Sequence, residues 1–572
     1  MSFRSGRYSN NSTQSSALLS SPASSSYGDR PDSHRSGLAE KYSLAPDPTL
    51  WGSNLSMNHP EPDDALHNPE VRNGKYVEHS SFSWSKRAFY NVGCLVILCL
   101  AILTLFVGYP VMTYMQNTLL AINNRNILVN STGQVAAMGN YGLIDLDTPQ
   151  DAYTLRSLVT GKDMKLVFSD EFNTDGRTFY PGDDPYWEAV DLHYWATNNM
   201  EWYDPSAVTT ANGSLVITLS RKPSHGLNYE GGLLSSWNKF CFTGGYLVTA
   251  ATLPGANNNG LWPAFWAMGN LGRAGYGATL DGMWPYTYDA CDVGTAPNQT
   301  LNGLPALSLT SGDPKPPTLG AISFLPGQRL SRCTCRGESH PGPVHKDGTY
   351  VGRSAPEIDV FEAQIDREEG AVSQSGQWAP FNIKYQWQNT SDNLMIVDPT
   401  VSVLNTYLGG AYQQASSVVS KTNQACYELH TGCLAIYGFE YQPGFGDAYI
   451  SWVNDGKLAW TVKAAGLGPD TRAEISARPV PQEPLYILAN LGMSENFGTV
   501  DLEHLTFPTI MKMDYVRVYQ YPDSINVGCD PPDFPTSAYI NTYIGAYTNP
   551  NLTTWVDDYK QTIPKNSFLG QC

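Results

Sequence analysis

From about residue 160 onward, short apolar runs alternate with Gly, Pro, Asn and Asp. They are Leu166-Val167-Phe168, Leu215 to Leu219, Gly245 to Ala250, Tyr449 to Val453, Leu485 to Ala489 and Met513 to Tyr519. Leu215, Ile217 and Leu219 recur at every second position, the period of a half-buried strand. Asn454-Asp455-Gly456-Lys457, set between Trp452-Val453 and Leu458-Ala459-Trp460, predicts a tight hairpin. No long stretch here repeats with the helical period. Many short strands without amphipathic helices predict an all-β fold, a sandwich or jelly roll of two antiparallel sheets.

The first part of the chain has another pattern. Residues 1–87 begin with thirteen serines in the first 36 positions and hold few apolar clusters. Such a segment buries too little surface to offset chain entropy, which predicts a disordered tail. Residues 88–124 carry no charge, and Val92 to Met112 is almost wholly apolar. About 20 residues at about 1.5 Å rise match a hydrocarbon core of about 30 Å, so a transmembrane helix is expected over 88–115. Lys86 and Arg87 precede it, and the first charge beyond it is Arg125. The positive-inside rule then puts the N terminus in the cytosol. The expected product is a single-pass type II membrane protein of the secretory pathway. A stalk over 116–160 and a main domain over 161–525 follow on the lumenal or outer side, with an extension over 526–572.

Composition narrows the partners. A formal charge of -18 and a pI near 4.9 exclude nucleic acid, whose phosphates need a basic face. Of the ten cysteines, Cys94 and Cys99 lie in the apolar run and the other eight lie beyond it, where disulfides persist. Cys426 with Cys433 and Cys529 with Cys572 are the expected pairs. The region after the apolar run has no C-x-x-C and no His pair at ligand spacing, so neither a metal nor a cofactor is expected. Sequons at Asn130, Asn212, Asn298, Asn389 and Asn551 are expected to meet the glycosylation machinery in this topology.

The candidate chemistry sits in Ala355-Pro356-Glu357-Ile358-Asp359-Val360-Phe361-Glu362-Ala363-Gln364. Three acids interrupt a run that otherwise reads as a buried strand. Glu357 and Asp359 share a face in a strand of period two, and Glu362 falls on the other. One extra residue, a β-bulge at Val360-Phe361, returns it to theirs. Spacing alone proves little, because an acid-x-acid-x-x-acid pattern is expected about 0.4 times by chance in so acidic a chain. Three convergent carboxylates are nonetheless the equipment of a glycosidase. Ionised Glu357 and Asp359 are expected to raise Glu362 and keep it protonated.

Around this strand lie Leu166-Val167-Phe168-Ser169-Asp170-Glu171-Phe172-Asn173, Gly260-Leu261-Trp262-Pro263-Ala264-Phe265-Trp266, Phe507-Pro508, and Met513-Asp514-Tyr515-Val516-Arg517-Val518-Tyr519. In that order, over about residues 160 to 525, they resemble glycoside hydrolase family 16. With the apolar run, the serine-rich tail and the cysteine-bearing extension, the whole chain resembles fungal β-1,6-glucan synthesis-associated membrane proteins, the killer-toxin-resistance and SKN group. The resemblance implies a jelly roll with a glycan cleft, Glu357 as nucleophile, Asp359 as its helper and Glu362 as general acid/base. It also implies β-glucan as the substrate and cell-wall synthesis proteins as partners. Aromatic rings stack on sugars, so Trp202, Trp237, Trp262 and Trp266 are candidate platforms, with Asn199 and Glu201 as cleft-lining polar groups. An insert over about 270–350, holding Cys291, Cys333 and Cys335, is expected to form a disulfide-pinned flap at one end of the cleft.

Three functions fit. The first is a retaining β-glucan hydrolase or transglycosylase. The second is a non-catalytic glucan-binding assembly factor. The third, a sugar-nucleotide transferase, rests on Asp145-Leu146-Asp147, which reads as solvated linker.

Overall fold

In the computed structural model, the described residues are 71–72, 75–76, 86–108 and 142–572, without 257, 316–317 and 367–368. Nearly all of the expected tail, residues 109–141 of the expected span and stalk, and the sequon at Asn130 lie outside them.

In the N-terminal unit, helix α1 covers Lys86–Leu103 and a π-helical turn continues it over Thr104–Gly108. Its apolar side chains, Leu95, Ile97, Leu98 and Leu100 among them, are exposed. Residues 88–108 of the expected span are helical, and the rest of it lies outside the described residues. No helix among the described residues is long and apolar enough to cross a membrane. The 18 residues of α1 rise about 27 Å, and its first turn includes Lys86 and Arg87.

The second unit is built of strands. In chain order the principal ones are β1 (Asp163–Asp170), β2 (Glu201–Tyr203), β3 (Ser214–Leu219), β4 (Tyr229–Ser235), β5 (Gly245–Thr252), β6 (Trp262–Gly269) and β7 (Glu357–Asp366). They continue as β8 (Glu369–Trp378), β9 (Gln413–Lys421), β10 (Ala435–Gln442), β11 (Tyr449–Asn454), β12 (Lys457–Lys463), β13 (Leu485–Gly492) and β14 (Thr509–Gln520). Together with shorter strands they form two sheets, one of 11 strands with the path β9-β8-β7-β6-β13-β4-β2, the other of 10 with the path β12-β11-β10-β5-β14-β1. Pairing is antiparallel except between β4 and β2. Thr154–Arg156, expected in the stalk, already pairs with β1.

The main core lies between the sheets. Phe265, Ile358, Val360 and Phe361 of the first meet Leu247, Phe439, Tyr437 and Val516 of the second, all essentially inaccessible. Each such side chain contributes about 1.5–3 kcal/mol by leaving water. The expected hairpin joins β11 to β12, and Asp455 and Gly456 both take positive φ (48° and 72°), as a two-residue turn matched to strand twist requires.

A second apolar cluster covers part of the first sheet's outer face. There Trp266, Met268, Tyr486 and Leu488 lie against Met283 of the insert and Tyr539, Tyr547 and Trp555 of the extension. The extension thus wraps the sandwich. The insert has a further core of its own, Tyr286, Tyr288, Ile322 and Leu325 against Phe381 and Ile383. It is packed in place by that core, and the disulfide pinning expected of it is present. Cys426 pairs with Cys433 as expected. The expected Cys529–Cys572 bond does not form: Cys529 joins Cys241, and Cys572 joins Cys335 of the insert. The last bond, Cys291–Cys333, closes the insert on itself.

Candidate active site

The register of β7 explains how one strand presents three acids on one face. Asp359 pairs with Ser375 of β8 and Glu362 with Ser373, so Val360 and Phe361 stand together opposite Gln374 alone. On the other side the register with β6 slips between Phe265 and Trp266. This is the bulge that the acid spacing requires. Both bulged side chains enter the core, and Glu357, Asp359 and Glu362 face away from it.

Each acid has a dedicated donor. Trp284 Nε1–H donates to Glu357 Oε2 at 2.8 Å, and Trp262 Nε1–H donates to Glu362 Oε1 at 3.1 Å. The Ser373 hydroxyl lies 3.4 Å from Glu362 Oε2. Gln377 Nε2 donates to Asp359 Oδ2 at 2.9 Å, and the Asp359 backbone carbonyl accepts from Trp452 Nε1 at 2.7 Å. A hydrogen bond between the Asp359 and Glu357 carboxyls lowers Glu357 and raises Asp359.

Burial lifts all three carboxyls. Glu357 is pushed up to about 8, by burial first and then by the charge of Glu362, with the Trp284 N–H pulling it back. Asp359 stands well above the usual carboxylate range, by burial and then by its two neighbours. Glu362 is pushed up to about 7 by burial, against the Trp262 and Ser373 hydrogen bonds. Burial, rather than the neighbouring charge expected from sequence, thus leads at Glu362. The three titrate as a set, each held above the usual carboxylate range by burial. One carboxylate able to attack and one acid able to donate is what glycosidic cleavage uses.

A family model for beta-glucan synthesis-associated protein SKN1/KRE6/Sbg1 matches residues 53–572. The chain belongs to this family. It is 42% identical over 526 residues to the beta-glucan synthesis-associated protein SKN1 of Candida albicans, covering 90% of this chain and 67% of that one. It is 41% identical over 538 residues to KRE6 of Saccharomyces cerevisiae, covering 91% and 70%. Among solved structures, the laminarinase catalytic domain of Thermotoga maritima covers 63% of this chain with 99% of its own, at 18% identity and a TM-score of 0.36.

In this SKN1/KRE6/Sbg1 member the other candidate residues take different places. Trp262 is half-buried beside Glu362, its ring stacked on Phe497 at 4.3 Å. Trp266 lies deeper, donating from Nε1 to Asn490 Oδ1 at 2.8 Å. Trp202 stacks on His225 at 4.1 Å and donates from Nε1 to Asp191. Trp237 is turned to the covering cluster: its ring stacks on Tyr547 at 5.5 Å, and the Arg273 guanidinium lies over it at 4.4 Å. Glu201 is fully buried, its Oε1 accepting from Asn199 Nδ2 and its Oε2 from the Met493 N–H. Burial pushes it up to about 7. The Asn199–Glu201 pair therefore lies beneath the surface expected to carry it.

Asn212, Asn298, Asn389 and Asn551 are exposed. Asp145 accepts from the Asp147 and Glu171 backbone N–H groups and lies against β1. Among the described residues, Asp191, Asp204 and His225 have ligand atoms within 4.8 Å of one another, close enough to share a cation. They lie at the surface beside Trp202.

Sequence reasoning missed Trp284, Gln377, Tyr194 and Tyr407. Burial and then the Glu357 charge raise the Tyr194 phenol, and that of Tyr407, a residue half exposed at the surface, is raised by partial burial and then by the Glu362 charge. Both rings thus lie within the field of the acids. Tyr194 follows Asp191-Leu192-His193, a polar and aromatic stretch close before Asn199. Trp284 has no such signal, since it lies in the Gly- and Pro-rich insert.

Proposed function

We propose that this chain is a retaining β-glucan glycosidase or transglycosylase that serves cell-wall β-1,6-glucan synthesis. The observation that carries the reading is the bulged strand β7, with a buried Asp359 between two half-buried glutamates, all three raised, and an indole N–H on each glutamate. A Glu357 oxygen attacks the anomeric carbon, the glycosidic C–O bond breaks, and Glu362 gives its proton to the departing oxygen. A glycosyl ester on Glu357 results. An acceptor hydroxyl, from water or a second glucan, then loses its proton to Glu362 while attacking the anomeric carbon and releasing Glu357. Asp359 exchanges a proton with Glu357 through their shared hydrogen bond and keeps it oriented. The residues that act are side chains of the protein, and the reaction draws on no cofactor. The segment 88–115 anchors the chain as a type II membrane protein, with the sandwich on the lumenal or outer side, near the synthesis machinery.

A second reading has its own support. The cluster over Trp266, Tyr486 and Leu488 covers part of the sheet face that bears the acids, which favours a glucan-holding assembly factor. Glu357→Gln and Glu362→Gln variants, expressed in cells lacking the native protein, separate the two. Loss of wall β-glucan with retained glucan binding, and a glycosyl adduct on wild-type Glu357, are expected. Full rescue by both variants refutes the catalytic reading and leaves the second.

A further inference from the structure

We propose that Trp284 is the positioning residue of the attacking carboxylate, and that the insert between β6 and β7 serves to deliver its indole N–H to Glu357. The proposal rests on the reading of Glu357 as nucleophile.

Trp284 lies 73 positions before Glu357 and donates to its Oε2 at 2.8 Å. The backbone around it is tied to both strands of the site. The Ala355 N–H, two residues before Glu357, donates to the Met283 carbonyl at 3.0 Å. Just past the end of β8, the Ala379 N–H donates to the Pro285 carbonyl at 3.1 Å, and the Thr287 N–H donates to the Ala379 carbonyl at 3.3 Å. Trp284 is thus held between the entry of the strand bearing Glu357 and the exit of the strand bearing Gln377, the donor to Asp359.

The support continues outward. Arg329 Nη1 donates to the carbonyls of Ala278 and Asp281, and its guanidinium lies 3.7 Å over the ring of Trp555 in the extension. The Trp555 N–H donates back to Asp281 Oδ2 at 2.9 Å. Insert and extension therefore brace one indole, which is half-buried and faces the carboxyls.

A donor on one carboxylate oxygen stabilises the charged form and fixes the plane of the group. That makes a test possible without any substrate. In the folded chain Glu357 holds its proton more tightly than when unfolded, so its contribution to stability is lost as pH rises through its folded titration. Removing the indole N–H raises that titration further, so the stability lost by Trp284→Phe is greater at high pH than at low pH. Full-length chain in detergent is unfolded thermally between pH 5 and 10 as wild type, W284F, E357Q and the double variant. The expected gap between wild type and W284F widens above about pH 7, and in the E357Q background it is flat. A gap equal at every pH in both backgrounds overturns the proposal, since a packing role alone gives that result. Trp284→His, which keeps a ring N–H, is expected to narrow the gap.

The second measurement is labelling of Glu357 by an epoxyalkyl β-glucoside, located by mass spectrometry. Its acidic midpoint is expected to move up by about one pH unit in W284F. An unmoved midpoint in labelled protein overturns the role of Trp284 and leaves the nucleophile intact. No label on wild type, with the thermal cycle as expected, overturns the nucleophile and leaves only the hydrogen bond.

Discussion

Arg353, four positions before Glu357, is fully buried and ties together four parts of the chain. Its Nε and Nη2 make a bidentate pair with Glu483, both bonds 2.8 Å, and its Nη1 donates at 2.7 Å to the carbonyls of Gly342 in the insert and Pro535 in the extension. The Ser354 N–H also donates to Glu483 Oε1. Arg353→Met removes the cation and leaves Glu483 charged, with no counter-ion among the described residues and two carbonyls without their donor. Breaking a buried pair from one side costs about 3–5 kcal/mol, because the remaining charge stays desolvated. With an unfolding entropy of about 2.1 cal/mol/K per residue over about 430 residues, that is a fall in Tm of about 3–6 °C. Glu483→Gln is expected to cost a similar amount. Arg353→Met with Glu483→Leu is expected to lose clearly less than the two singles together, since no lone charge is left behind. Differential scanning calorimetry at pH 7 reads all three. A shift below about 1 °C for Arg353→Met, or full additivity in the double, refutes the reasoning.

Three further predictions use other parts of the structure. Glu357, Glu362 and Glu201 all bind protons more tightly folded than unfolded, so their contribution to stability is complete below about pH 4.3 and is lost as pH rises through 7 to 8; Tm is expected to decline over that range, and E362Q is expected to flatten the decline in a pH series of melts. A Cβ at Gly492 would collide with the Glu201 carboxylate, so Gly492→Ala is expected to destabilise by about 1–3 kcal/mol, read by chemical unfolding, and a neutral result would remove Glu201 from its assigned place. The sequons at Asn212, Asn298, Asn389 and Asn551 are exposed, so protein from cells is expected to lose mobility steps on endoglycosidase treatment and with each Asn→Gln change; no step at all would refute the lumenal placement.

Local pattern made much of the fold legible. The apolar runs at 166–168, 215–219, 245–250, 449–453, 485–489 and 513–519 all lie within strands, because alternation over a few residues is enough to bury one face. Asp455-Gly456 marked its hairpin because few residues other than these accept positive φ in succession. The bulge was legible for a related reason: parity puts Glu362 on the wrong face, and one extra residue corrects it. For the site, the three acids and Trp262 could be read, Tyr194 had a signal that went unused, and Trp284 and Tyr407 had none.

What sequence by itself determined is therefore local: the strands, the turn, the bulge and the acids it aligns, each set by residues within a few positions. Tertiary structure decided whatever depends on distant partners. Cys529 found Cys241 at a separation of 288 and Cys572 found Cys335 at 237, where a pairing of the two C-terminal cysteines was expected. Loop closure entropy changes too slowly with length to favour one distant partner over another. The same holds for the tryptophans. Composition marks them as able to stack on a sugar, but only the packing of insert and extension turned Trp237 under Tyr547 and Arg273 and brought Trp284 to Glu357. A side chain's chemistry is written in its own residue, and the surface it meets is written across the whole chain.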